Sequence, residues 1–531
     1  MTHQETCSQL EAEEKKYLPN NKFVEIKDFK FATEPFWHQK VSFNFARALP
    51  QSALFLEQGL GKAKLLIDLA TWRFRKNQIK RILVVCPNSV VGQWLEELKK
   101  HGHNDFNKVI ALTGSKEKRT KELIKFAQDD TVGWIITNYD SLRALSETLL
   151  KLQRQKIKCF DMIGLDESSK IKHYQSQRSK LSWRLGLTVQ YRNILTGTPI
   201  TQSAEDIFGQ YRFLKCEVFG IYATPFRANY LIMGGFESRQ VIGYKNITAM
   251  LKKVYSLAIR FTKDRCLDLP EKVYEVRQAQ MDPEISKQYR HLERECIAEF
   301  AGKKIAAPMV LTKMSKLSQI TGGFIYEQGL DGERIKTHAF KSNPKLEALG
   351  EILEESSQKT IIWCRFVQEI KDIRDYLYKE KINFVSVSGD VSPSDRTEAI
   401  KDFQEDPTCR VFVGQVSTAG FGITLTAASL VIYFSNSYSL EDRLQSEDRC
   451  HRIGQKNKVT YIDLVSVTSD GRKTIDHDIL SIIKSKAAFA NEVSLALMQQ
   501  MVFRQQEAVE PEINKEAERE DIMEAEEEFS A

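Results

Sequence analysis

No stretch of this chain is apolar for long enough to cross a bilayer. The longest runs, such as Ile82 to Cys86 and Leu430 to Phe434, fall far short of the ~18–20 residues that a spanning helix needs. A helical membrane span is excluded, and no membrane partner is expected. Paired cysteines are missing as well. The nine cysteines are scattered singly, with no C-x-x-C and no histidine at ligand spacing. This argues against a disulfide framework and against a structural zinc site, and reduced thiols are expected. The start, MTHQETCSQLEAEEKK, has no apolar segment behind a basic one, so it does not read as a secretory signal and the protein is expected to stay inside a cell. No repeat at a solenoid period is found, and only the tail is of low complexity.

What is present suffices for several cores. A length of 531 residues is roughly three times the ~150-residue prior for one domain. With 42% hydrophobic and 28% charged residues, the composition is that of a globular, multidomain protein. The net charge of +6 hides an asymmetry. Residues 505–531 carry eleven acids against two bases, a net −9, which leaves +15 on the preceding 504 residues. A basic body attracts polyanions by a salt-screened force, although the same charge spread over so large a surface is also ordinary; motifs have to decide. The acidic tail reads either as a solvated, disordered end or as a DNA mimic competing for a basic track.

Two regions alternate short β-branched runs with helical patterns, as buried parallel strands do. The first contains ALFLE (53–57), RILVVCP (81–87), KVIALTG (108–114), GWIITNY (133–139), DMIGLDE (161–167) and RNILTGT (192–198). The second follows Pro344, with KTIIWCRF (359–366), NFVSVSG (383–389), CRVFVGQ (409–415), LVIYFSN (430–436) and VTYIDLV (459–465). Residues 215–335 between them lack this rhythm and read as helical insertions and a connector, broken at Gly234–Gly235 and Gly322–Gly323.

The sharpest local signal is EQGLGKAK, Glu57 to Lys64, between a predicted strand and a helical pattern. Glycines 59 and 61 allow a tight turn whose backbone N–H groups face an anion. The helix that follows offers its positive N-terminus, and Lys62 reaches the β/γ-phosphates. The strict pattern G-x-x-x-x-G-K-[ST] fails twice, at Leu56 and at Ala63, so a plain glycine-bearing turn with a solvated lysine stands as the alternative. Asp166-Glu167 sit at the end of the strand DMIGL, where ligands of parallel sheets bind. There Asp166 is suited to holding Mg²⁺ through its water shell, and Glu167 to orienting and deprotonating a water. The competing reading is a solvated acidic turn. QSEDRCHRIGQ (445–455) adds Arg449 and Arg452, three apart and on one face if helical. They suit arginine fingers, which commonly contribute ~10³–10⁵ in rate, or equally a surface pair in ion bridges.

These strings resemble, in order and over residues 33–485, the helicase-superfamily-two ATPases of the Swi/Snf type. WHQ (37–39) is similar to the adenine-reading Gln motif. It is followed by GLGKA (59–63), CPNSVVGQWLEE (86–97), ITNYDSL (136–142), LDESSKIKH (165–173) and LTGTPI (195–200), and then by RFTKDRCLDLPEKV (260–273), KLEALGEIL (345–353), IIWCRF (361–366), VSTAGFGITLTAAS (416–429) and QSEDRCHRIGQ. HRIGQ and the LPEK segment carry the subfamily assignment.

The resemblance implies an α/β protein with two tandem RecA-like parallel-sheet domains and helical insertions between them. Its divisions are an N-terminal extension (1–30), an ATP-binding lobe (31–214), insertions and connector (215–335), a second lobe (336–490), and a C-terminal helix with an acidic tail (491–531). It implies ATP in the cleft, with Lys62, Asp166 and Glu167 on one wall and Arg449 and Arg452 on the other. Gln39 is expected to read adenine, and Gly59, Leu60, Gly61, Lys62, Ala63, Lys64 and Gln445 to bind the nucleotide, with Mg²⁺ on Asp166. Thr196, Thr198 and Gln445 are expected to couple the nucleotide to lobe movement. Ser89, Trp94, Asn138, Tyr139, Arg365, Ser417 and Thr418 are the candidate nucleic-acid contacts, with Trp94 and Tyr139 equally readable as core aromatics.

Three departures from the family pattern matter. Ala63 stands where a Mg²⁺-ligating Thr or Ser is usual, so weaker metal positioning and slowed hydrolysis are expected. DESS replaces DEAH or DEGH, so coupling to the other lobe must use another residue than histidine. Ser437-Tyr438-Ser439 replaces W-N-P, which puts that aromatic duplex contact in doubt. The activity implied is ATP-driven translocation on the phosphate backbone of double-stranded DNA, displacing bound proteins, by a monomeric motor. A hydrolysis-impaired DNA-binding module, a strand-separating helicase and an RNA helicase are the alternatives. No attached recognition domain is read, and such minimal forms resemble those of phages and prophages, which implies a bacterial or phage-infected cytoplasm.

Overall fold

The computed structural model describes residues 29–485 apart from residues 103–107, 130–131, 156, 158, 201–202, 235–239, 303–306, 328–335, 390 and 417–422. The acidic tail and nearly all of the expected N-terminal extension lie outside the described residues.

The β-branched runs become strands: β1 (Gln51–Leu56), β2 (Arg81–Cys86), β3 (Lys108–Ala111), β4 (Gly133–Asn138), β5 (Met162–Asp166) and β6 (Tyr191–Leu195). They form one parallel sheet ordered β3-β4-β2-β5-β6-β1-β9, in which β9 is Ala258–Phe261. Alternate residues of one strand enter different cores. Leu83 and Val85 pack with Phe126, Leu142 and Ile163 on one face, while Ile82 and Val84 pack with Leu66, Leu69 and Trp134 on the other. Burial on both faces is why these strands read as continuous apolar runs.

The second half repeats the plan. β13 (Thr360–Cys364), β14 (Phe384–Val387), β15 (Val411–Gln415), β16 (Leu430–Tyr433), β17 (Val459–Val467) and β10 (Lys272–Gln280) form a parallel sheet ordered β10-β17-β16-β13-β15-β14. Ile362 and Cys364 face one core, Ile361 and Trp363 the other. The helix Pro344–Glu355 opens this half. Asn343 caps it, accepting from Leu346 N, with proline at its first position.

The stretch expected to hold helical insertions contains them, and strands too. Besides β9 and β10 it carries the antiparallel hairpin of β7 (Leu231–Gly234) with β8 (Gln240–Tyr244), and β11 (Phe324–Glu327), which pairs antiparallel with β12 (Lys336–Ala339) just beyond the stretch. Both sheets therefore draw an edge strand from the expected connector. β10 escaped notice because it is an edge: five consecutive residues, 274–278, are exposed, so it lacks the apolar run of a buried strand. Among the described residues, no helix is long and apolar enough to cross a membrane.

Candidate nucleotide site

The ends of β5 and β1 flank β6, which brings the loops that follow them side by side. After β1 the chain turns through Gly59 (φ +84°) and Gly61 (φ +78°) into the helix Lys62–Arg75. Both angles are left-handed, which strains any residue other than glycine, and a Cβ on Gly61 would run into the Gln39 amide. Gln39 ties this loop down: its Nε2 donates to Leu60 O (3.1 Å) while its Oε1 accepts from Phe36 N (3.0 Å). His38 Nε2 lies 3.1 Å from the same carbonyl. Lys62 Nζ donates to Leu56 O at 3.1 Å and stands 3.9 Å from Glu167 Oε1.

At the end of β5, Glu167 has φ +49°, a conformation that costs a non-glycine residue about 1–2 kcal/mol. Such strain is concentrated at functional sites. Asp166 is held from two directions. Its Oδ2 accepts from Trp94 Nε1 (2.8 Å) and its Oδ1 from Glu167 N (3.0 Å). Tyr139 Oη donates to its backbone carbonyl (2.7 Å). Burial pushes both carboxyl groups above the usual carboxylate range, against the pull of the Lys62 ammonium. Thr196, just past β6, points Oγ1 at Glu167 Oε2 (3.5 Å) and accepts from Thr198 N (3.1 Å).

The opposite wall comes from the second sheet's half. Ser439 caps the helix Leu440–Glu447, accepting from Asp442 N; the serine standing in the W-N-P position thus starts this helix. Arg449 follows it, anchored by Nε to Gln445 O (2.8 Å) and Nη1 to Ile423 O (3.3 Å), with Nη2 donating to Gln58 Oε1 in the phosphate loop (2.6 Å). Burial lowers its guanidinium to about 10, which leaves it charged at neutral pH. Arg452 donates to Thr424 Oγ1 (2.9 Å), and its Cβ is 4.0 Å from where a Cβ on Gly59 would stand. The two walls enclose a cavity of about 430 Å³ lined by Gln39, Gly59, Gly61, Lys62, Ala63, Lys64, Trp94, Asp166, Glu167, Arg449 and Arg452.

Most of the residues expected at the nucleotide therefore meet in one cavity. Gln445 is not among the residues lining it and donates to Glu441 Oε1 at 3.3 Å. Lys64 lines the cavity, yet its ammonium is engaged by Asp68 Oδ2 (2.6 Å) and lies 5.3 Å from the Phe31 ring. Of the two readings of Trp94 and Tyr139, nucleic-acid contact or core aromatic, their positions match the second, since each packs into a hydrophobic core. Both are buried, at 2% and 3% exposure, and both serve Asp166. Ser89 is exposed. Asn138 donates to Asn88 Oδ1 (2.8 Å) and accepts from Ser141 N (2.7 Å). Arg365 lies against the rings of Phe366 and Tyr438. Ser417 and Thr418 lie outside the described residues.

Among the described residues, no group of three or more His, Cys, Asp or Glu side chains is placed to hold a metal ion. The donor set still fits Mg²⁺ arriving with a triphosphate, which takes waters, phosphate oxygens and one or two carboxylates. Asp166 supplies a carboxylate; Ala63 supplies no side-chain oxygen.

Several partners escaped the sequence reading. Glu441, on the second half, accepts from Ser169 Oγ and Lys170 Nζ (both 3.1 Å) and stands 3.8 Å from Lys172. Ser169, at the place of the missing histidine, thus still reaches the other half. Lys263 joins three segments: its N–H donates to Glu57 Oε2 (2.9 Å) and its Nζ to Asp448 Oδ1 (2.5 Å) and His451 O (2.7 Å). HRIGQ touches LPEK directly, through His451 Nε2 and Pro270 O at 2.7 Å. Lys263 and His451 lay within quoted strings, whereas nothing local marks Glu441.

Two parallel-sheet halves, a glycine loop with its lysine and acidic pair on one, and arginines reaching over from the other, define a RecA-like, helicase-type ATPase core. Residues 38–322 match the SNF2-related domain, and residues 344–454 match the helicase conserved C-terminal domain. The chain belongs to the SNF2-related family. It is 24% identical over 470 residues to the TATA-binding protein-associated factor MOT1 of Saccharomyces cerevisiae, a match covering 77% of this chain and 24% of that protein. It is 26% identical over 455 residues to the SWI/SNF-related matrix-associated actin-dependent regulator of chromatin subfamily A-like protein 1 homolog of Caenorhabditis elegans, covering 83% and 59%. The chain spans about a quarter of the length of the TATA-binding protein-associated factors it matches. Among solved structures, a Sulfolobus solfataricus SWI2/SNF2 ATPase core in complex with dsDNA is 25% identical, with 84% of this chain and 90% of that chain covered and a TM-score of 0.40.

Proposed function

We propose that this chain is a DNA-dependent ATPase that hydrolyses ATP between its two lobes and uses the cycle to move along double-stranded DNA, displacing proteins bound there. The observation that carries the reading is the shared cavity, in which Lys62, Asp166 and Glu167 face Arg449 of the other lobe. Lys62 and Arg449 neutralise charge on the transferring phosphoryl group, and Glu167 orients the attacking water and takes its proton. Gln39, which lines the cavity, reads adenine. Mg²⁺, held on the Asp166 side, supplies further charge neutralisation when bound.

Ser89 and Arg365 follow β2 and β13, and Asn138 ends β4, at the carboxyl ends of parallel strands where ligands of such sheets bind. They are the proposed phosphate contacts, with Ser417 and Thr418 beyond β15. A basic body suits a track read through its backbone. The motor works as a monomer inside a cell, where ATP and duplex DNA are both present. The test is one ATPase assay with duplex DNA, single strands and RNA. The reading expects duplex DNA to stimulate most, and stronger stimulation by RNA replaces it with an RNA helicase. Ala63 favours one second reading, a hydrolysis-impaired binding module; it is adopted if activity appears only in Ala63→Thr.

A further inference from the structure

We propose that Gln58 is a positioning residue of this ATPase, its side-chain amide relaying the arrival of Arg449 to Glu167. The inference rests on the ATPase reading and adds to it a residue that ties the two walls together. Gln58 Oε1 accepts from Arg449 Nη2 at 2.6 Å, and Gln58 Nε2 donates to Glu167 Oε1 at 3.2 Å. A primary amide presents an acceptor and a donor on one rigid plane, so it satisfies a cation and an anion at once. Methionine offers neither group, and glutamate offers only the acceptor. The partners also fix the amide's orientation, because turning it over would set N–H against guanidinium and oxygen against carboxylate.

Both ends of the relay are anchored. Arg449 reaches the loop with Nη2 while its Nε and Nη1 hold Gln445 O and Ile423 O. The backbone of Gln58 passes close to Gly197, where an added Cβ would stand 3.2 Å from Gln58 N. With Arg449 docked, the amide orients one oxygen of Glu167, leaving the other near Thr196. With the lobes apart the amide loses its cation, and Glu167 loses a fixed partner. Hydrolysis then depends on closure even though every part of the acidic pair belongs to the first lobe.

The test compares Gln58→Met, Gln58→Glu and Arg449→Ala, alone and combined, by steady-state ATPase with saturating duplex DNA. The relay expects Gln58→Met to lower kcat roughly tenfold, the order of loss seen when one partner that orients a reactive group is removed, with KM for ATP within about twofold. Combined with Arg449→Ala it should add almost nothing, because one pathway has been cut twice. Gln58→Glu discriminates further. If the side chain merely tethered the lobes, a carboxylate at this position would preserve or strengthen the tether by pairing with the Arg449 guanidinium, whereas the relay expects a loss like that of methionine. It also carries the test alone if Gln58→Met fails to fold. Full activity in Gln58→Glu, or independent multiplying losses in the double variant, overturns the relay while leaving the ATPase reading intact. Absence of hydrolysis by the unaltered chain and by Ala63→Thr overturns both.

Discussion

Single side chains at the cleft hold charge in places where water is scarce, and their removal should register in stability as well as in turnover. Trp94→Phe keeps an aromatic ring but deletes the N–H donated to Asp166 Oδ2. A buried acceptor left unmet costs about 1–3 kcal/mol, so urea denaturation should show a loss of that size together with slower hydrolysis; an unchanged midpoint would mean that the bond contributes nothing. His101, which also lines the cavity, makes a pH prediction. Burial lowers it from 6.5 to about 4, assisted by Lys64 and Lys100, while Thr33 Oγ1 meets its Nδ1 at 2.6 Å. Glu97 Oε2 lies 3.4 Å from its Nε2. Because the folded value lies below the unfolded one, His101 contributes fully to stability above pH 6.5, and that contribution disappears as the pH falls towards 4. Thermal unfolding midpoints should fall across that window, and less steeply in His101→Gln.

At the scale of strands and helices, the pattern that was legible is the one physics writes locally. Strands buried on both faces announce themselves as apolar runs, and β1, β2, β4, β5, β13 and β16 all appear where such runs stand. β9 has only four residues, and β10 is exposed along its middle; neither can be seen without the sheet it completes. The site divides in the same way. Gly59, Lys62 and Asp166 are legible because a loop or strand tip dictates their task, whereas Glu441 meets Ser169 across 272 residues of chain, a distance that no local spacing encodes. Its helix makes a prediction of its own. Glu441 is held below the usual carboxylate range: although its burial acts in the opposite direction, Lys170 and Lys172 prevail. Glu441→Gln would leave those lysines facing a neutral amide, and removing one partner of a buried pair costs about 3–5 kcal/mol. The penalty falls on the closed arrangement, so the stimulation of ATPase by duplex DNA should drop severalfold while unstimulated turnover changes little. Equal losses in both rates would reassign Glu441 to plain folding stability.

For the molecule as a whole, the charges that matter are those that no single site contains. The first 504 residues carry +15 and the last 27 carry −9, so the chain joins a basic body to an acidic segment. Backbone-dominated binding releases counterions. Log affinity for duplex DNA should therefore fall linearly with log salt, with a slope near −0.9 for each phosphate contacted, and little with base sequence. Deleting residues 505–531 separates two accounts of the tail. If the tail occupies the track, the truncated chain binds duplex DNA more tightly at low salt and shows a steeper slope, because phosphates now replace carboxylates as the first partners of the lysines and arginines. If the tail is only a solvated end, the slope stays where it was, and affinity rises by no more than the higher net charge gives. Fluorescence anisotropy across a salt series reads the two quantities together. The slope is the more telling of them, since it counts phosphate contacts directly, whereas a change in affinity alone would also follow from the rise in net charge.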